Sequence, residues 1–443
     1  MSPAESLAIV GAIFLIVLLL GHPLAFTLGG LGVLFAATLW GNLNALNLFV
    51  RITTGICTNI VYVSVPLFIF MGTMLERSGA ADRLFGSMYV VFGRMRGGLA
   101  IATVVMCTLL AAASGIIGAS LTLMTMLALP SMIKHNYDMD LATGTIMSSG
   151  CLGTIIPPSI ILVIYGAQAQ ISIGRLFAGG VGPGLLLAGL YLTYIILRVT
   201  FNPSSAPAIA PEEAARFSGK EKVIMVLKSV VPTTALIFLV LGSIMLGWAT
   251  PTEAAALGCV GAAFIAIGNR KFTFRVIKEC CFLTMKTNAM IMLIILSASM
   301  FTSVFLGLGG GQLITEIVNN LEVSRWVVMV VILALLLVMG MFIDCYGVLL
   351  IGIPIFTPIV DRLGFDPVWF AIMFAVMVQA SYLSPPFAYA AFYVKGVARE
   401  SGIELPIAQL YKATFTFLGL QIIALVLMSF FPGIITWLPN KIF

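Results

Sequence analysis

Gly153-Thr154-Ile155-Ile156-Pro157-Pro158-Ser159 and, 228 positions on, Ser381-Tyr382-Leu383-Ser384-Pro385-Pro386-Phe387 interrupt two apolar runs, 141–166 and 368–395. A proline removes a backbone donor and its ring clashes with the preceding turn, so two in a row unwind a helix. The freed carbonyls cannot face lipid, where each unsatisfied group costs several kcal/mol. They require a ligand, and unwound carbonyls with neighbouring hydroxyls suit Na⁺.

Both runs belong to a chain built for lipid. Of its 443 residues, 60% are hydrophobic and 9% charged, and mean hydropathy is +1.12. Soluble domains carry about a quarter charged residues because their surface faces water. Runs of about 20 apolar residues cross a bilayer as helices. Such runs lie at 7–20, 22–40, 60–75, 173–200, 223–247, 253–268, 286–303 and 404–431, besides the two broken ones. No basic segment precedes residues 6–20, which therefore read as a retained helix rather than a cleaved signal. The seven cysteines show no CxxC or Cys/His metal spacing and read as small buried residues. The fold class predicted is an all-α polytopic membrane protein.

Shifting the sequence by 228 positions superposes its unusual residues. Pro23 falls on Pro251, Gly30 on Gly258, Gly79 on Gly307, Pro130 on Pro358, Asp138 on Asp366, Tyr165 on Tyr393 and Gly174 on Gly402. Residues 7–200 and 235–428 are read as two copies of one unit, joined by a polar, proline-rich linker at 201–222. Two further apolar stretches, 98–133 and 326–360, are too long for one straight span. Each breaks in its middle, at Ala111–Ser120 and at Met339–Gly347, where Gly and Ser permit a turn. Each stretch is expected to be a re-entrant hairpin.

Five spans plus a hairpin per copy is an odd number of crossings, which turns the second copy upside down. With the N-terminus outside, about 18 of the 23 Lys and Arg lie on the cytoplasmic side, as the positive-inside rule requires. The net charge of +6 thus reflects orientation in the membrane and not a nucleic-acid partner. Inverted repeats with helices broken at mid-membrane are the plan of secondary transporters. The domain division expected is a first scaffold and arm at 1–97 and a first transport half at 98–172. Scaffold, linker and second arm follow at 173–325, then a second transport half at 326–400 and a C-terminal scaffold helix at 401–443.

Neither pair of breaks carries a Lys or Arg. A negatively charged solute would rest on the positive ends of half-helices and on bound cations. Asp344 is the carboxylate at a break point, and intramembrane ionisable residues are functional by default. It is a candidate to ligate the cation or to bond the solute, with Ser114, Ser120 and Ser159 as further solute-binding candidates. Thr250-Pro251-Thr252-Glu253 reads as a structural cap, with Pro at the first helical position. His22 and His135 have no nucleophile or metal pattern beside them, which argues against an intramembrane enzyme.

At Ala249-Thr250-Pro251-Thr252-Glu253-Ala254-Ala255, Gly153–Ser159 and Leu383–Phe387, the chain resembles the large (M) membrane subunit of tripartite ATP-independent periplasmic (TRAP) transporters. The resemblance covers essentially all of residues 1–443. It implies an elevator mechanism, Na⁺ as coupling ion, a small membrane (Q) subunit and a periplasmic substrate-binding protein, in a bacterial inner membrane. The solute implied is a small organic anion, a carboxylate or sulfonate. One Na⁺ site would match Ala111, Ser114, Gly153, Ile156 and Pro158. Its symmetric partner would match Gly340, Ser381, Ser384 and Phe387, with Asp344 close by. The second motif departs from the family's Thr-Pro-Pro-x-Gly by reading Ser384-Pro385-Pro386-Phe387-Ala388, which keeps the hydroxyl. A stand-alone divalent-anion/Na⁺ symporter and an anion channel are the alternatives.

Overall fold

The computed structural model describes residues 3–39, 44–115, 117–209, 219–320, 323–386 and 388–443, and every regular element among them is helical. In chain order these are α1 (Pro3–Leu19), α2 (Leu24–Thr38), α3 (Asn44–Thr58), α4 (Ser64–Arg77), α5 (Ala80–Phe92), α6 (Gly98–Ser114), α7 (Ile117–Lys134), α8 (Met139–Gly150), α9 (Ile160–Ala169) and α10 (Ile173–Phe201). There follow α11 (Gly219–Met245), α12 (Pro251–Gly268), α13 (Phe274–Gly307), α14 (Gly310–Asn320), α15 (Arg325–Phe342), α16 (Cys345–Arg362), α17 (Pro367–Ser381), α18 (Tyr389–Glu400), α19 (Ile407–Phe430) and α20 (Gly433–Ile442). Among the described residues, 9 helices are long and apolar enough to cross a membrane. Phe238, Phe264, Phe282 and Phe430 stand out from them into the surroundings, as lipid-facing side chains do.

The 228-residue shift carries α7 onto α16 residue for residue, and α6 onto α15 within one residue. Packing follows the same relation. α2 lies along α13 while α12, the image of α2, lies along α4. The second limb of each hairpin packs on the half-helix of the other copy, α7 on α18 and α16 on α9. Equivalent residues do equivalent work: Asp138 Oδ1 caps α8 by accepting from Leu141 N at 3.0 Å, and Asp366 Oδ1 caps α17 from Trp369 N at 2.8 Å. Each satisfies a helix-end donor that has no partner within the helix.

Four details differ from the sequence reading. The match of Gly174 with Gly402 is a coincidence of spacing. Gly402 is left-handed (φ 76°) after α18, where the first copy has Gln170 (φ 56°) after α9, and Gly174 lies inside α10. α18 runs past the end of the α9 image, and the left-handed residue after it falls four positions later. Second, 201–222 is not all free linker. Its first part straps back onto the bundle: Ser205 O accepts from Asp138 N at 2.8 Å, Ala206 O from Gly97 N at 3.0 Å, and Ile209 N donates to Gly93 O at 2.9 Å. Third, the apolar run 286–303 is the inner part of a 34-residue helix, α13, whose first turns carry Arg275, Lys278 and Glu279. Fourth, α3, α5 and α14 escape a search for apolar runs because they are two-faced. In α5, Ala81, Leu84 and Met88 are buried while Asp82 and Arg83 are exposed.

α10 and α19 pack on each other and on the broken segments α17 and α8, with the hairpin limb α6 also against α10. α4, α12 and α13, with α2, form a separate cluster that meets the hairpins along one side.

Candidate functional site

The two helix breaks are built differently from the same pair of prolines. In the first, α8 tightens into a 3-10 turn, Cys151–Thr154, and the chain then bends through Pro157 and Pro158 to Ser159, which is extended at the start of α9. Ser159 holds this corner. Its hydroxyl donates to Thr154 O at 2.5 Å and accepts from Leu162 N at 3.4 Å, which caps α9. In the second, turns from Gln379 to Leu383 end α17. The Ser381 hydroxyl donates to Val378 O at 2.7 Å, and the Ser384 hydroxyl to Ala380 O at 3.0 Å. Both proline pairs are joined by cis peptide bonds.

Each break receives a hairpin tip. The first hairpin turns at Gly115, left-handed at φ 61°, whose N–H donates to Ala111 O at 3.2 Å. A side chain is excluded there, because a Cβ would sit 2.7 Å from the Pro158 carbonyl oxygen. Gly153 lies against Ala111, 3.7 Å from its Cα if a Cβ were present. Ala111, Gly153 and Pro158 are thus brought together at one tip, while the Ile156 side chain turns toward Gly184 on α10. The second hairpin turns at Ile343, in extended conformation, and Asp344 caps α16 by accepting from Gly347 N at 3.0 Å. Gly340, still helical, abuts Ser381, and a Cβ there would lie 2.5 Å from the Ser381 Cβ. Gly340 and Ser381 meet as Gly153 and Ala111 do.

Carbonyl oxygens lie at the first contact and carbonyl and hydroxyl oxygens at the second, with one carboxylate, Asp344, at the second tip. Among the described residues no group of three or more His, Cys, Asp or Glu gathers as metal ligands. Neutral oxygen donors fit an alkali cation and not a transition metal. The Ser381 and Ser384 hydroxyls spend their hydrogens on backbone carbonyls, which leaves oxygen lone pairs to face a cation.

The tips and breaks form one wall of a cavity of about 940 Å³, whose opposite wall is α4 and α13. Gly115, Thr154, Gly340, Asp344, Tyr382, Tyr389 and Tyr393 line the first wall, and Glu76, Arg77 and Glu279 the second. Asp344 is exposed to this space. Arg77 is held by Glu279 at 3.2 Å, and Glu279 is also bonded by Arg275 at 3.0 Å. From the wall inward, Thr154 donates to Gln379 Oε1 at 3.0 Å, tying the two breaks together, and deeper in the bundle Gln421 donates to the Tyr191 hydroxyl at 2.9 Å.

Of the residues singled out from sequence, Ser120 and Ser159 are buried and absent from the cavity wall. Phe387 and the Ser114 side chain lie outside the described residues. Thr250 and Glu253 form a reciprocal capping box: Glu253 Oε2 accepts from Thr250 N at 2.8 Å, and Thr250 Oγ1 from Glu253 N at 3.3 Å. Sequence reading missed Glu76 and the tyrosines. Glu76 had a signal, an acid at the end of the apolar run 60–75. The tyrosines had none beyond falling near a break.

The architecture is that of a polytopic helical membrane protein. The crystal structure of the Alcanivorax borkumensis YdaH transporter matches with a TM-score of 0.62, over 94% of this chain and 99% of that one, at 14% identity. So low an identity speaks for the fold alone. Sequence carries the family. The family described as Tripartite ATP-independent periplasmic transporter, DctM component, matches residues 11–434. The C4-dicarboxylate TRAP transporter large permease protein DctM of Vibrio cholerae is 31% identical, covering 97% of each chain. The protein of the same description from Pseudomonas aeruginosa is 32% identical, over 85% of this chain and 86% of that one. The chain belongs to the DctM family of TRAP transporter large permeases. It is a multi-pass membrane permease and not an enzyme.

Proposed function

We propose that this permease imports a small organic anion, a carboxylate or sulfonate, by sodium-coupled symport with an elevator motion. One observation carries the reading: two hairpin tips meet two proline-broken helices at places related by the internal repeat. The first meeting gathers backbone oxygens, and the second backbone and hydroxyl oxygens. The first cation site is read as Ala111, Ser114, Gly153, Ile156 and Pro158. The second is read as Gly340, Ser381, Ser384 and Phe387, with Asp344 at its edge. Bound Na⁺ offsets the charge of the anion beside it and so links uptake to the ion gradient.

The moving body is read as the hairpins and broken helices together with α10 and α19, which pack chiefly on them. That enlarges the transport halves first drawn at 98–172 and 326–400. The α2, α4, α12 and α13 cluster is the fixed wall past which the body slides. Opposed copies of one unit supply inward-open and outward-open states of similar energy. A small membrane (Q) subunit and a periplasmic binding protein complete the system in the bacterial inner membrane.

Reconstitution of the permease with its small subunit and binding protein into vesicles tests this. Uptake of an organic acid should follow an inward Na⁺ gradient and stop when that gradient is collapsed. Undiminished uptake with no Na⁺ overturns the coupling. Uptake that needs no binding protein would favour a stand-alone symporter.

A further inference from the structure

The internal repeat is broken on the cavity wall at three places in the same way. Gly118 and Tyr346, Thr154 and Tyr382, and Ile161 and Tyr389 are each related by the 228-residue shift, and all six residues line the cavity. The first-copy member is small or aliphatic every time, and the second-copy member is tyrosine every time. Tyr393 also lines the cavity, whereas its image Tyr165 is fully buried against Phe374, with ring centroids 5.6 Å apart. The cation framework is common to both copies. A feature present in one copy alone serves something the chamber holds once, which is the solute.

The tyrosine face is built to be occupied. Tyr382 is 4% exposed, and its hydroxyl has only the Cys345 thiol beside it, a weak partner, with no well-formed hydrogen bond. Buried hydroxyls are nearly always well bonded, so one matched only by a thiol on a cavity wall points to a ligand. The rings adjoin in sequence, Tyr382 to Tyr389 at 5.6 Å and Tyr389 to Tyr393 at 5.5 Å between centroids. On the first hairpin, Gly118 leaves room for this face, since a Cβ there would sit 2.9 Å from the Tyr393 hydroxyl oxygen. The charges of the lining limit the solute further. Glu76, Glu279 and Asp344 outnumber Arg77, and Arg77 is already paired with Glu279. A second negative charge on the solute would meet repulsion with no free guanidinium to offset it.

We infer that the Tyr346, Tyr382, Tyr389 and Tyr393 face is the solute subsite, and that it takes an organic acid with a single carboxylate on an aromatic or bulky apolar body. Phenol hydroxyls donate to the carboxylate, and the ring faces cover the apolar body. The inference rests on reading the cavity as the solute path of a sodium-coupled permease.

Equilibrium binding to the purified permease with its small subunit in nanodiscs, with and without Na⁺, tests it with phenylacetate, succinate and glycine betaine. Phenylacetate should bind about 10-fold or more tighter than the other two in Na⁺, and Tyr382→Phe should weaken it about 10-fold at an unchanged melting temperature. If that variant does not assemble, Tyr393→Phe is held to the same threshold. Succinate binding as tightly as phenylacetate, or glycine betaine binding best, overturns the subsite and leaves sodium coupling standing. An intact affinity in the phenylalanine variant overturns it too. No sodium-dependent binding of any of the three overturns both readings.

Discussion

Gly340→Ala is the substitution for which the geometry sets the outcome. The new methyl group would collide with the Ser381 hydroxyl and lie 2.5 Å from the Ser381 Cβ. Carbon atoms at ordinary contact are about 3.5–4.0 Å apart, so hairpin and break must separate by about 1 Å. Ser381 cannot simply swing away, because its hydroxyl is bonded to Val378 O at 2.7 Å and it is 1% exposed. Overpacking of this kind costs about 1–3 kcal/mol. Alanine in place of glycine within α15 returns up to about 1 kcal/mol of helix propensity. The net, about 1–2 kcal/mol, falls on the contact that shapes the second cation site. It corresponds to a rise of about 5- to 30-fold in the Na⁺ concentration giving half-maximal uptake. The assay is Na⁺-dependent uptake in proteoliposomes carrying the complete system. Ser381→Gly in the same chain removes the obstructing atoms and should restore much of the thermal stability lost to the clash, though not the hydroxyl ligand. An unchanged Na⁺ dependence in Gly340→Ala, at unchanged melting temperature, would refute the argument that this contact builds a cation site.

Asp344→Asn should abolish sodium-driven uptake while the protein still folds, because asparagine caps a helix as well as aspartate does. Normal uptake with the intact cap would remove Asp344 from the site. Ser384→Ala deletes a hydroxyl that is fully buried at the second break, and should raise the half-saturating Na⁺ concentration by about 5- to 10-fold; Ser114→Ala should act in the same direction at the first site. Glu253→Gln keeps a hydrogen-bonding group in the exposed capping box and should leave uptake near wild type with a small fall in melting temperature. Loss of uptake in that variant would assign Glu253 a role beyond the cap.

Sequence alone determined the membrane class, the repeat, the turn points of both hairpins and the two breaks, because these follow from local chemistry. A proline pair unwinds a helix whatever surrounds it, and a chain this apolar has no aqueous surface to make. Asp138, Asp366 and the Thr250–Glu253 box cap their helices through bonds spanning only three residues, and spacing alone placed the Thr250–Glu253 box. Tertiary structure decided which oxygens converge. Gly153 meets Ala111, and Gly340 meets Ser381, across 40 or so residues of intervening chain, and no local pattern encodes such an approach. It also withdrew Ser120 and Ser159 from the cavity, since a serine at a break caps its own helix as readily as it faces a ligand. The one-sided tyrosine wall was hidden for the same reason: a residue lines a chamber through the packing of distant helices, and repeat symmetry becomes informative only where both copies are seen to face the same space.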